Sequence, residues 1–115
     1  MKFPKLHSPA ILSPMAGVTD VAFRTLCKRY GAGLTCTEFL SSAAIVRNNK
    51  RTMGMLATDP SEKPVAIQLF GNSADEIVKA AKFAAAAGAL ACSKFGAMES
   101  LPKKMEIIEL LQTLP

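Results

Sequence analysis

Apolar positions alternate along this chain between short continuous runs and stripes at helical spacing. A-I-L-S at 10–13 follows Pro9 and reads as a short buried strand. Phe23, Leu26, Cys27 and Tyr30 recur at helical intervals and predict a helix over about 20–30, with Gly31 as its stop. Thr19 is placed to cap it, and Asp20 to meet the positive end of its dipole. G-L-T-C-T-E-F-L at 33–40 favours a strand, expected over 34–38. Ser41 or Ser42 can cap a short helix through Val46. Asn48 and Asn49 interrupt it, and a second short turn covers 50–57. T-D-P-S-E-K-P at 58–64 is turn chemistry. V-A-I-Q-L-F-G at 65–71 is apolar nearly throughout, as expected of a strand covered by helices on both faces, with Gln68 as the exception. Ser73 and Glu76 form a capping box, and Asp75 and Lys79 an i,i+4 pair. Ile77, Ala80, Ala81 and Ala84 make a narrow apolar stripe, and Gly88 marks its end. Residues 89–92 fit a fourth strand. Ser100 can cap a last helix lined by Leu101, Met105, Ile108 and Leu111.

Strand and helix thus alternate with short loops, which argues for an α/β protein with parallel strands. The 115 residues suit one compact domain, and the 50% hydrophobic content argues against disorder. Aromatic content of 6% without Trp suits helix–sheet packing. The net charge of +5 is compatible with a polyanionic partner, but on charge alone an ordinary solvated surface is the favoured reading. Three scattered cysteines, Cys27, Cys36 and Cys92, argue against a disulfide framework or a zinc site and fit a reducing compartment. No stretch reaches the ~20 apolar residues of a membrane span. The N-terminal run is too short and too broken by proline for a signal peptide. A cytoplasmic location is expected.

Three stretches carry a resemblance: S-P-M-A-G-V-T-D-V-A-F-R-T-L-C-K-R-Y-G-A-G at 13–33, T-E-F-L-S-S-A-A at 37–44 and E-K-P-V-A-I-Q-L-F-G at 62–71. In order and spacing they resemble the N-terminal part of the tRNA-dihydrouridine synthases, over roughly positions 8–89. The resemblance implies a partial (β/α)8 TIM barrel, about its first three to four βα units. It also implies FMN as cofactor, NADPH as hydride donor and tRNA as substrate. By the family pattern Pro14, Met15 and Ala16 line the isoalloxazine ring and Gln68 contacts its pyrimidine edge. In such barrels ligands lie over the C-terminal strand ends, where the loop after strand one belongs.

Read from the residues alone, alternatives stand beside each of these. Residues 14–17 could form only a tight strand-to-helix turn. Gln68 could be an amide satisfied by neighbouring backbone. Glu38 either faces the site or is a solvated or capping carboxylate. Cys27 and Cys36 read as core thiols, and His7 as a surface residue. Arg24, Lys28, Arg29, Arg47, Lys50 and Arg51 could meet RNA phosphates or form a solvated face.

After Ala89 the resemblance stops. The family continues into an N-x-G-C-P loop whose cysteine is the general acid. Here F-G at 95–96 is followed by Ala97 and Met98, and Cys92 is not expected to be catalytic. No catalytic residue and no metal ligand is therefore assigned. The expectation is a family-like segment over 1–89 and a divergent tail over 90–115, the product of a truncated or frame-shifted gene. Alone it would be inactive or incomplete, since a closed barrel needs about 250 residues. The alternative is a non-catalytic half-barrel module that self-associates through its open edge or pairs with a partner chain. Another FMN barrel oxidoreductase, such as a dihydroorotate dehydrogenase-like enzyme, fits the T-E spacing less well.

Overall fold

The computed structural model describes residues 3–92 and 104–113. Its order is α1 (Val21–Arg29), β1 (Thr35–Ser41), α2 (Ser42–Val46), α3 (Lys50–Met55), a 3₁₀ turn (Pro60–Glu62), β2 (Val65–Phe70), α4 (Ala74–Cys92) and α5 (Lys104–Thr113). β1 and β2 pair in parallel. Ahead of them Ile11 makes a single parallel bridge with Leu34, and the Leu12 N–H donates to the Leu34 carbonyl at 2.9 Å. The expected first strand is therefore one bridge, and Ile11 is exposed rather than buried.

The register between the two strands slips once. Cys36 pairs with Ala66 but Phe39 with Gln68, so β1 carries one extra residue. Beyond the bulge, Leu40 faces the helices. It packs with Ile45 of α2, Leu56 after α3 and Ala80 and Ala84 of α4, and Ile67 and Leu69 of β2 join them. Phe39, Gln68 and Phe70 are exposed. The Phe39 and Phe70 rings meet edge-to-face, 5.4 Å between centroids. Among the described residues β2 is thus covered on one face only. Its apolar run reflects aromatic contact on the second face rather than a second helical layer.

The helices follow their caps. Asp20, not Thr19, caps α1, its carboxylate accepting from the Phe23 N–H at 2.8 Å. Ser41 caps α2, and Asn49 caps α3. Ser73 accepts from the Glu76 N–H at the start of α4. The expected apolar stripe of α1 is not its buried face. Leu26 and Tyr30 are exposed, and the buried residue is Arg24. An arginine can occupy that place because its partners neutralise it, which apolar spacing does not register. In α4, Ala80 and Ala84 are buried, Ile77 is half-buried and Ala81 is exposed.

Gly88 does not end α4, and residues 89–92 form its last turn instead of a fourth strand. A single glycine costs a helix about 1 kcal/mol, and the Ala and Leu residues around it are strong helix formers. α5 follows, with Ile107 buried against Ala86 and Ala87 of α4. The proposed cap Ser100, together with Leu101, Ala97 and Met98, lies outside the described residues.

Candidate functional site

Ile11, Leu34 and Pro64 form one row across the three parallel segments, since the Thr35 N–H also reaches the Pro64 carbonyl. Met15, Glu38 and Gln68 each lie the same number of residues beyond that row. They therefore stand at a similar level along the strands, Glu38 and Gln68 within the sheet and Met15 in the turn beside it. A direct contact agrees: Glu38 Oε2 accepts from the Gly17 N–H at 2.7 Å.

The turn after the first segment is a closed loop of hydrogen bonds. The Met15 carbonyl accepts from the Val18 and Thr19 amides at 3.1 and 3.0 Å, and from Thr19 Oγ1 at 3.0 Å. Thr19 Oγ1 accepts in turn from the Met15 N–H at 3.1 Å. Thr19 is fully buried, and this bracket is its role in place of the expected helix cap. Gly17 sits at φ 73°, the left-handed region that favours glycine. Pro14 is half-buried, while Met15, Ala16 and Gly17 are exposed. The Ala16 N–H has no partner among the described residues.

The bulge explains why Thr and Glu stand together at 37–38. Thr37 Oγ1 accepts from the Gln68 N–H at 3.2 Å and donates to the Glu38 carbonyl at 2.8 Å. The hydroxyl thus fills the gap that the extra residue opens in the ladder, and Glu38 is re-aimed toward the loop. The Gln68 side-chain amide makes no hydrogen bond among the described residues and is exposed, so neighbouring backbone does not satisfy it. Its donor and acceptor are both available.

Behind the turn lies a buried ion pair. Arg24 Nε donates to Glu62 Oε2 at 2.6 Å, and Nη2 to Glu62 Oε1 at 3.0 Å. The remaining donors reach the Thr19 and Ala57 carbonyls, each at 2.8 Å. Glu62 Oε1 also accepts from the Asp59 N–H at 2.9 Å. Arg24 is 2% exposed and Glu62 0%. Arg24 is therefore not available to RNA phosphates. Lys28 is half-buried and donates to the Gly33 carbonyl at 2.8 Å. Desolvation lowers its pKa, against the opposing pull of Glu62. Arg29, Lys50 and Arg51 are exposed, and Arg47 makes a loose 3.7 Å pair with Glu76.

Of the other titratable candidates, Cys36 is half-buried in β1, and burial raises its thiol pKa. Cys27 is half-buried in α1, Cys92 belongs to α4, and His7 is exposed. The sequence left Glu38 between facing the site and a solvated or capping place, read Arg24 as a candidate RNA contact, and gave Glu62 no role; the structure brings all three to the turn. No spacing rule links Glu62 to Arg24, and only the F-R and E-K-P stretches of the resemblance mark them.

These features define an α/β protein whose parallel strands bring a backbone turn, a carboxylate and an amide to a similar level along the sheet. The model of the dihydrouridine synthase family matches residues 11–92. The chain is 39% identical over 84 residues to tRNA-dihydrouridine synthase B of Pseudomonas putida, covering 73% of this chain and 25% of that protein. It is 41% identical over 80 residues to a probable tRNA-dihydrouridine synthase of Aquifex aeolicus, covering 70% and 24%. A third relative, probable tRNA-dihydrouridine synthase 1 of Synechocystis, shares 41% over 86 residues, covering 73% and 24%. The chain belongs to the dihydrouridine synthase family. It spans about a quarter of the length of these relatives. No solved structure matches it.

Proposed function

We propose that this chain forms the flavin-facing N-terminal part of a tRNA-dihydrouridine synthase barrel. Pro14, Met15 and Ala16 lie under the ring of FMN, and Gln68 holds its pyrimidine edge. The observation that carries this reading is the Glu38 hydrogen bond that ties the turn to the bulge beside Gln68. The residues fit the ring. A flat ligand with donors and acceptors along one edge suits an open backbone turn, a free Ala16 N–H and an unpaired carboxamide. Nothing comparable among the described residues suits the cofactor's phosphate.

Bound FMN would supply hydride, taken from NADPH, to the C5–C6 double bond of a uridine in tRNA. This chain's own part is to hold and orient. Met15 offers a polarizable contact, and Gln68 fixes the in-plane orientation. No residue is assigned as donor of the proton needed at uridine. None of Cys27, Cys36 and Cys92 stands in an N-x-G-C-P loop. The chain by itself is therefore expected to bind without turning over.

Titrating FMN into the purified chain and following flavin fluorescence tests this. Saturable quenching is expected, and Gln68→Ala should weaken it roughly tenfold, the worth of one or two lost hydrogen bonds. Unmodified tRNA incubated with the chain, FMN and NADPH should gain no dihydrouridine. Absence of saturable quenching overturns the flavin reading.

A second reading is a non-catalytic module that pairs with another copy of this chain. The exposed edge-to-face rings of Phe39 and Phe70 on the open sheet face favour it.

A further inference from the structure

Two carboxylates reach the 14–20 turn from different sides. Glu38 takes the Gly17 N–H directly from β1 at 2.7 Å. Glu62 acts from the 3₁₀ turn through Arg24, whose Nη1 donates to the Thr19 carbonyl at 2.8 Å. Thr19 Oγ1 then closes on both the N–H and the carbonyl of Met15. Met15, Ala16 and Gly17 are thus held at both ends.

We propose that Glu38 and the buried pair of Arg24 and Glu62 are positioning residues, which fix the 15–17 backbone in the shape that presents the Ala16 N–H to a ligand. The inference rests on the flavin reading for the ligand's identity, but the loop geometry is tested without it.

The physical case starts from the loop's composition. Ala16 and Gly17 carry little side chain to pack, and glycine loses more conformational freedom on ordering than any other residue. A ligand meeting a loose turn would have to order it at the cost of affinity. A charge-assisted hydrogen bond to the Gly17 N–H is a strong, directional tether for that point. The far end needs a different device, because it is buried. Well-packed apolar residues in place of both Arg24 and Glu62 would often be as stabilising as the buried ion pair, whereas removing one partner strands the other's charge. What an apolar side chain cannot do is donate at fixed angles to carbonyls of two segments, Thr19 and Ala57, while Glu62 anchors it. Glu62 in turn takes the Asp59 N–H, so the turn, α1 and the 59–62 segment register against one another.

The test uses the full chain, labelled with 15N, and two readouts: amide hydrogen exchange at Ala16, Gly17 and Thr19, and FMN affinity. Glu38→Ala removes the acceptor, while Glu38→Gln keeps one without its charge. In Glu38→Ala, Gly17 exchange should rise and FMN affinity fall, each roughly tenfold, and the melting temperature should drop only by what the loss of one hydrogen bond accounts for. Glu38→Gln should restore part of both. Glu62→Gln should perturb the Thr19 and Met15 amides while leaving those of α4 in place. If that variant does not fold, the Glu38 series decides. Unchanged Gly17 exchange in Glu38→Ala overturns the proposal. If the wild-type chain binds no FMN, the flavin reading falls, and positioning stands or falls on the amides alone.

Discussion

Asp59 heads the 3₁₀ turn that carries Glu62. The Ser61 hydroxyl donates to its carboxylate at 2.5 Å and the Ser61 N–H at 2.8 Å. These bonds, aided by Arg29 and opposed by burial, hold its pKa below the ordinary 3.8. A depressed carboxylate pKa means the folded state favours the ionised form. The stability this contributes is fully present above the ordinary value and is lost as pH falls through the folded one. Asp59→Asn should therefore lower the melting temperature at neutral pH and flatten its decline below about pH 4, as melts across a pH series would read. A parallel loss in both proteins would remove Asp59 from the account. Single residues were unevenly legible in the sequence. The exposed 14–17 turn and the polar exception at Gln68 stood out because each breaks its surroundings. Arg24 did not: a cation on a helix reads as surface unless its partner is known, and Glu62 is remote in sequence. Thr19 likewise read as a cap, since a hydroxyl before a helix gives no sign that it bonds backward to Met15.

At the scale of elements, the first segment and β1 are joined by close approach around Gly33. The Gly33 N–H donates to the Ala10 carbonyl at 2.8 Å, and a Cβ built on Gly33 would overlap the Ser8 carbonyl oxygen. That obstacle is backbone and cannot rotate away. Gly33→Ala should destabilise the chain by about 1–3 kcal/mol, as overpacking does. It should also free the amides that tie 10–12 to 33–34, measured by denaturant titration and hydrogen exchange. A neutral Gly33→Ala would show that this segment is not docked as described. Most elements were predictable from caps and breakers: α2 from Ser41, α3 from the two asparagines, β2 from its apolar run. Two were not. β1 continues past the predicted end because the bulge interrupts its alternation at Thr37 and Glu38, which resembles a strand terminus. α4 continues past Gly88 because one helix breaker is outweighed by its neighbours.

Among the described residues the sheet has one covered face and one open face. α2, α3 and α4 close over Leu40, Ile67 and Leu69, while Phe39 and Phe70 remain half exposed opposite them. Fully burying a Phe side chain is worth about 1.5–3 kcal/mol, so covering this face is strongly favoured. If two copies meet there, Phe39→Ser with Phe70→Ser should shift sedimentation from dimer to monomer and weaken association at least tenfold. A wild-type chain that sediments as a monomer at high concentration counts against the paired module. It leaves the barrel wall as the reading of this surface. The α/β alternation predicted the parallel sheet and its helical cover. That the second face is open was not legible, because an apolar strand reads the same whether helices or other strands lie across it. The extra residue in β1 has a last consequence. Deleting one residue between Cys36 and Phe39 would even out the ladder and leave the distal half of the strand facing as it does now. Phe39 would still meet Gln68 and Leu40 Leu69, but either the Thr37 hydroxyl or the Glu38 carboxylate would go, so losing one codon here would spare the wall and cut its tie to the turn.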